Sequence, residues 1–380
     1  MARSTTSWRE VGFNEAFQRL KLKAFEIPTK DYQVAGTYPI IDQGDGAVAG
    51  YIDREDPISD VPFIVFGDHT TIVKYVDQPC FIGSQGVVPL KARECYYPYF
   101  LYLMLGRTRI PALGYSRHFR ELENKTFPLP PLAEQRKIAE ILRTWDEAIE
   151  TAEAELKAKQ DRKRGLMQKL FTPSAEGAKA GSISKSKGNY KPLGALVTKI
   201  EGGGTPSKEV PGYWNGDIPL LTIKDLPNAH LGLTVDQITT NGLESSSSKI
   251  VPAGIPVIAT RMDVGRVVRC PVPVAINQDL RAIYPDKDMV DVDYIVQVLP
   301  TLEREFLRYS CGSTVMGIGI DDLKSVKIYL PPLAEQRKIA QVLQSEDAAI
   351  DSLKVKADLL RTQKCGLMQK LLTGEVRVAA

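Results

Sequence analysis

Histidine is scarce in this 380-residue chain: only His69, His118 and His230 occur, so few side chains could act as a general base near neutral pH. The five cysteines (Cys80, Cys95, Cys270, Cys311 and Cys365) are odd in number and form no CxxC pair. That argues against a disulfide framework and a zinc site, and fits free thiols in a reducing compartment. No stretch approaches the ~20 consecutive apolar residues of a membrane span. The opening segment, Met1 to Gly12, has no apolar core of a secretory signal. A soluble, cytoplasmic protein without membrane contact is the expectation.

Familiar reaction motifs are missing too. There is no GxxxxGK[ST] phosphate loop, no GxGxxG after a strand, no GxSxG elbow and no HExxH helix. Gly202-Gly-Gly-Thr-Pro206 lacks the Lys-Ser/Thr pair of a phosphate cradle and reads as a turn. Pro285-Asp-Lys-Asp288 lacks the downstream acid-x-Lys of a nuclease metal site, and Asp321-Asp322 reads as a solvated or capped turn. Neither catalytic residues nor a metal site is indicated. Composition is ordinary for a globular chain, with 43% hydrophobic and 25% charged residues. The net charge of +3 permits nucleic-acid contact without demanding it. The length suggests two or three domains.

What is present is a repeat. LPPLAEQRKIAEIL at 129–142 returns as LPPLAEQRKIAQVL at 330–343, matching at twelve of fourteen positions with an offset of 201 residues. GLMQKLFT at 165–172 returns as GLMQKLLT at 366–373 with the same offset. A duplicated segment without net insertion organises the chain. Behind each Pro-Pro pair lies a helical rhythm. Ile138, Leu142, Trp145, Ile149, Ala152 and Leu156 step by four and three, and Ile339, Leu343, Ile350, Leu353, Ala357 and Leu360 continue the pattern in the second copy. This narrow seam predicts two paired coiled-coil helices, each about 40 residues or ~60 Å long. Small faces large where Ala152 and Leu156 match Leu353 and Ala357, while Glu346 puts an acid on the seam. The basic run Lys157, Lys159, Arg162, Lys163 and Arg164 reads as a solvated helix face.

The fold class expected is α+β: two mixed α/β domains separated by two long antiparallel coiled-coil helices with pseudo-two-fold symmetry. The predicted boundaries are a first domain at 1–131, a central spacer helix at 132–171 and a polar, basic linker at 172–189. A second domain follows at 190–330, then a C-terminal spacer helix at 331–373 and a tail at 374–380. Strand-like runs include Tyr38–Ile41, Pro62–Phe66, Ile218–Ile223 and Gly254–Ile258, and helices are expected over Pro98–Arg107 and Val292–Phe306.

Two similar domains on a stiff spacer suit a long target with two half-sites, of which duplex DNA is the commonest. Several loops carry side chains fitted to base edges or phosphates. In the first domain these are Asp68, His69, Thr70 and Thr71, then Tyr115, Ser116, Arg117 and His118. In the second they are Thr205, Ser207 and Lys208, then Lys224, Asp225, Ser247, Lys249 and Arg261. The offset also aligns the loop at 116–118 with that at 317–319.

Taken together, these segments resemble the specificity (S) subunits of type I restriction–modification systems, over nearly the whole chain. The twin LPPLAEQRKIA segments, each followed by a helix ending in GLMQKL, carry most of the likeness. YPIIDQG at 38–44, VFGDHTTIVKY at 65–75, LGYSRHF at 113–119, GGGTPSK at 202–208, YWNGDIPLLTIKDL at 213–226 and AINQDLRAI at 275–283 add to it, the first bringing Gln43 among the candidates. The resemblance implies two target recognition domains that read unlike halves of a split double-stranded DNA sequence. It implies docking of two methyltransferase subunits and two restriction subunits, with S-adenosylmethionine, ATP and Mg used in those partners and no cofactor in this chain. A nuclease or methyltransferase with an unrecognised site, or a protein scaffold without a nucleic-acid role, are the competing readings.

Overall fold

A computed structural model describes residues 8–111, 117–171, 189–309 and 317–379. The chain divides into two compact units, residues 1–153 with 355–380 and residues 154–354. The division falls within both long helices, which run over Leu132–Phe171 and Leu333–Leu371. Each unit therefore holds one mixed domain, the first half of one long helix and the last half of the other.

In the first unit, Arg9–Gly12 pairs antiparallel with Thr126–Leu129 and leads into the first long helix. An antiparallel sheet has the spatial order Phe17–Arg19, Val87–Ala92, Phe63–Gly67, Val73–Val76. Its strand Phe63–Gly67 is buried throughout. A second sheet has the order Glu26–Ile27, Phe81–Gly83, Tyr38–Ile41, Gly50–Ile52. The helix Pro98–Arg107 starts with proline in its first turn, where the missing N–H costs nothing, and buries Phe100, Leu101, Leu103 and Leu105 in the core of this unit.

The second unit repeats the plan. Asn189–Pro192 pairs with Lys327–Leu330. One antiparallel sheet has the order Val197–Gly202, Leu280–Pro285, Pro256–Ala259, Val267–Arg269, and the other Asp236–Ile238, Trp214–Leu221, Val274–Ile276, Lys249–Val251. The units differ at one sheet edge. Glu26–Ile27 lies parallel to Phe81–Gly83, whereas Lys249–Val251 comes from a later part of its domain and runs antiparallel to Val274–Ile276. The single helix expected over Val292–Phe306 is instead broken into Val292–Val298, a tight turn at Leu299–Leu302 and Glu303–Tyr309. Pro300 accounts for the break, since its ring removes a donor and clashes with the preceding turn.

The repeated motifs meet one another. In the first unit, Ile138, Ala139 and Leu142 of the first long helix share a core with Leu371 and Leu372, with Leu367 and Met368 packed against it. In the second, Ile339, Ala340 and Leu343 share a core against which Leu166, Met167, Leu170 and Phe171 pack. Each LPPLAEQRKIA segment thus packs in the same core as the GLMQKL segment of the other copy. Each fully buried leucine contributes about 1.5–3 kcal/mol. Along the seam Ile138, Leu142, Ala152, Ile339, Leu343, Ile350 and Ala357 are buried. Trp145, Ile149, Leu156, Leu353 and Leu360 are half-buried. Within units the helix halves run antiparallel: in the first, Glu153 pairs with Arg361 at 2.6 Å, while Asp146, seven residues earlier, pairs with Lys364, three residues later.

The glutamine of each motif is a polar clip. Gln135 and Gln336 are both 1% exposed. Gln135 Nε2 donates to the Pro130 carbonyl at 2.8 Å, and its Oε1 accepts the backbone N–H of Tyr97 at 3.0 Å. Gln336 Nε2 donates to the Pro331 carbonyl at 2.8 Å, and its Oε1 accepts the N–H of Asp291 at 2.8 Å. Tyr97 and Asp291 are the residues that begin the domain helices Pro98–Arg107 and Val292–Val298. Each clip satisfies one of the amides that a helix start leaves without an intrahelical partner.

Glu346 is 6% exposed, and its carboxylate lies 3.4 Å from Lys159 Nζ and 3.3 Å from Arg162 Nε. A buried carboxylate is costly unless paired, and the two cations supply the pairing. The basic run at 157–164 is therefore not all solvated face, since Lys159, Arg162 and Lys163 turn to the second long helix. Beyond that helix the chain folds back on the first unit, where Arg377 makes a two-pronged bond to Glu134 at 2.7 and 2.8 Å.

Candidate nucleic-acid interface

In the first domain a polar cluster forms where strands end. Gln43 follows Tyr38–Ile41, and its side chain fills the space over Gly86, where a Cβ would come within 2.4 Å of Gln43 Nε2. Gly86 has φ +65°, which also favours glycine. Gln43 Oε1 accepts the N–H of His69 at 3.1 Å, and the Gln43 carbonyl accepts the Thr70 hydroxyl at 2.7 Å. His69 and Thr70 are exposed on this turn, and Thr71 takes φ +60°.

Asp68 and His118 sit inside the loop rather than on its surface, at 8% and 3% exposure. The Asp68 carbonyl accepts the N–H of His118 at 2.8 Å, and Asp68 Oδ1 accepts the N–H of Phe119 at 2.9 Å. They join the turn at 67–71 to the start of the short helix Phe119–Glu123. Arg117 is exposed, its Nε 3.9 Å from Asp68 Oδ2. Tyr115 and Ser116 lie outside the described residues.

Arg117 lines a concavity of about 440 Å³ with Arg19 and Arg120. Arg19 stacks over the Phe119 ring at 5.2 Å. Sequence reasoning missed Arg19 and Arg120. Arg120 lies beside a chosen loop, but Arg19 reaches the site only because Phe17–Arg19 pairs with Val87–Ala92.

In the second domain three segments converge. Gly203 and Gly204 pass so close to their neighbours that a Cβ would lie 1.9 Å from the Ile276 carbonyl oxygen and 2.0 Å from Ser247 Oγ, respectively. The Thr205 hydroxyl donates to Gln278 Oε1 at 2.7 Å. Arg261 lies 3.9 Å from Asp279, whose backbone carbonyl accepts the N–H of Thr260 at 2.8 Å. Thr205, Ser247 and Arg261 are thus gathered around the turn at 277–281. Gln278 and Arg281 belong to this cluster and were not singled out from the sequence. Burial, and then repulsion from Arg261, lower the Arg281 pKa.

Other candidates stand elsewhere. Asp225 is 3% exposed and accepts from Thr222 N at 2.8 Å, Thr222 Oγ1 at 2.7 Å and Val235 N at 2.8 Å, so it caps a turn. The Ser207 carbonyl accepts the Trp214 indole N–H at 2.9 Å. Lys208, Lys224 and Lys249 are exposed.

The two clusters occupy matching places in their domains. Each follows the central strand of the antiparallel sheet, Phe63–Gly67 or Pro256–Ala259, and is tied to the segment before a short helix. The Asp68 carbonyl takes the N–H of His118 in one, and the Thr260 carbonyl takes that of Ile318 at 2.9 Å in the other. Among the described residues no group of three His, Cys, Asp or Glu side chains could hold a metal ion, and no helix is long and apolar enough to cross a membrane.

Fold and loops define a duplicated binding protein whose readers are clipped to paired helices. The chain belongs to the type I restriction modification DNA specificity domain family, which matches residues 14–159 and 189–360. This family is non-catalytic. The chain is 27% identical over 349 residues to the specificity subunit of the type I restriction enzyme EcoR124I/EcoR124II of Escherichia coli, covering 86% of this chain and 83% of that one. It is 29% identical over 271 residues to the putative type I restriction enzyme MjaX specificity subunit of Methanocaldococcus jannaschii, covering 68% and 61%. Its fold is like that of the type I restriction–modification S subunit from M. genitalium, with a TM-score of 0.66, 15% identity and 98% and 97% of the two chains covered. A chain from a structure on complex assembly and conformational transition of the type I R-M system gives 0.56, at 19% identity over 99% and 100%.

Proposed function

We propose that this chain is the DNA-reading subunit of a type I restriction–modification complex, with each domain reading one half of an asymmetric, interrupted double-stranded target. The observation that carries this is the pair of loop clusters in matching places with unlike contents. One offers Gln43, His69, Thr70 and Arg117, the other Thr205, Ser247, Gln278 and Arg261. Unlike donors and acceptors suit unlike base edges, so the half-sites differ. The exposed arginines and lysines nearby grip phosphates, a salt-dependent contribution that positions without specifying.

In this reading two methyltransferase and two restriction subunits join the chain in the cytoplasm, and adenine methylation and ATP-dependent cleavage depend on it without being performed by it. S-adenosylmethionine, ATP and Mg belong to those partners.

The test is to produce the chain with the methyltransferase subunit of its system and map methylated adenines across a genome. A single split, asymmetric motif is expected. Exchange of residues 190–330 for those of a relative should then change one half of the motif and leave the other. A change in both halves, or methylation without a motif, overturns the proposal.

A further inference from the structure

The first domain has a second concavity whose charge is opposite to that of the arginine-lined one. A groove of about 690 Å³ is lined by the strand Val73–Val76 and the first long helix, with Tyr75, Tyr99 and Tyr102 among its walls. The three rings touch one another: Tyr75 lies 4.9 Å from Tyr99 and 5.6 Å from Tyr102, and Tyr99 lies 5.5 Å from Tyr102. Burial pushes the Tyr75 phenol up to about 12 and raises those of Tyr99 and Tyr102, so all three stay neutral.

Around these rings stand five carboxylates, Asp45, Asp77, Asp146, Glu147 and Glu150, of which Asp146 is already paired with Lys364, and two further cations, Lys74 and Arg143. Lys74 is held by the Gly46 carbonyl at 2.6 Å and by Asp42 at 3.5 Å. Arg143 lies 3.6 Å from both Asp77 and Glu147. Asp45 and Glu150 are exposed and make no ion pair among the described residues. The groove is therefore negative, a poor seat for a polyanion. Neutral aromatic faces ringed by acid attract a cationic side chain. Arg143 demonstrates the chemistry, its guanidinium lying 5.7 Å over the Tyr99 ring.

We propose that this groove receives a lysine- or arginine-bearing segment of the methyltransferase subunit, an assignment that rests on the restriction–modification reading. The contact is made once per chain. The positions 201 residues beyond Arg143 and Glu147 hold Gln344 and Ala348, and the strand that matches Val73–Val76, Val267–Arg269, carries no aromatic residue, so the second unit lacks the equivalent. Of two docked methyltransferase subunits, one gains this contact.

The experiment uses the full chain with the methyltransferase subunit and the doubly charge-reversed variant Asp45→Lys/Glu150→Lys, both positions being exposed. Assembly mass is followed by analytical ultracentrifugation across methyltransferase concentrations at low and high salt. The expected result is that one of the two methyltransferase subunits binds about tenfold more weakly at low salt, with the gap closing as salt rises. The methylated motif stays the same. Equal binding of both subunits by variant and wild type overturns the proposal, as does tighter DNA binding by the variant with assembly unchanged. Should the wild type take up no methyltransferase subunit, the specificity-subunit reading and the groove assignment fall together.

Discussion

Asp146 and Asp347 are the same residue of the repeat, and each ties three pieces of its unit together. Asp347, on the second long helix, binds Lys163 of the first and accepts the Gln297 side-chain amide of the domain helix at 2.9 Å. Asp146, on the first long helix, binds Lys364 of the second and accepts the Tyr99 hydroxyl of its own domain helix. Lys163 and Lys364 are likewise 201 residues apart. The ion pair is thus made twice with the helices exchanged, as a two-fold repeat requires, while the domain-side partner differs.

Such a half-buried pair is expected to be worth on the order of 1 kcal/mol. A double-mutant cycle with Lys163→Ala and Asp347→Ala, read by urea unfolding, should give coupling of about that size. The swap Lys163→Asp with Asp347→Lys should recover part of it. No coupling would mean that the helices are held by the apolar seam alone.

The glutamine clips should matter more than their size suggests. Gln135→Ala leaves the Pro130 carbonyl and the Tyr97 N–H without their partner, and Gln336→Ala does the same to Pro331 and Asp291. Leaving buried polar groups unmet costs about 1–3 kcal/mol. Hydrogen exchange at Tyr97 or Asp291 should quicken in the matching variant while the other unit is unaffected.

Glu134 gives the tail a pH dependence. Its hydrogen bonds from Arg377 hold its pKa below the usual carboxylate range. A carboxylate depressed in the folded state adds stability that is complete above its unfolded pKa of ~4.3 and lost as pH falls through the lowered folded value. Wild type should therefore be more stable than Glu134→Gln at pH 7, with the difference shrinking in that acid window. Thermal melts from pH 7 to pH 3 measure it, and a constant difference would count against the ion pair as its source.

Thiol reactivity should split cleanly. Cys80 and Cys270 are buried, and burial raises their thiols to about 12 and about 11. Cys95 and Cys365 are exposed. With iodoacetamide at pH 8, mass spectrometry should find Cys95 and Cys365 modified first and Cys80 and Cys270 only on unfolding. Rapid labelling of Cys80 would contradict the packing of the first domain.

The sequence reveals the long helices well because two signals agree there, the repeat held at one offset and the four-three apolar step. It announces Pro98–Arg107 through a proline start and a dense apolar run. It misleads over Val292–Phe306, where the apolar pattern runs on through Pro300 but the backbone does not. At the sites, Thr205, Ser247 and Arg261 are sensible choices by type, yet what unites them is the turn at 277–281, reached through strand pairing. Asp225 looks the same on paper as an exposed acid and proves to be a cap. Glu346 is a defect in a one-dimensional seam and becomes intelligible once Lys159 and Arg162 are seen across from it.

The clips at Gln135 and Gln336 grasp main-chain atoms, an amide hydrogen on one side and a proline carbonyl on the other. Nothing in that grip inspects the identity of the side chains beyond it. A head with different lettering can be fitted to the same shank provided the helix beside the joint opens with an unclaimed amide, so new preferences can arise by wholesale replacement of the head without refitting the joint.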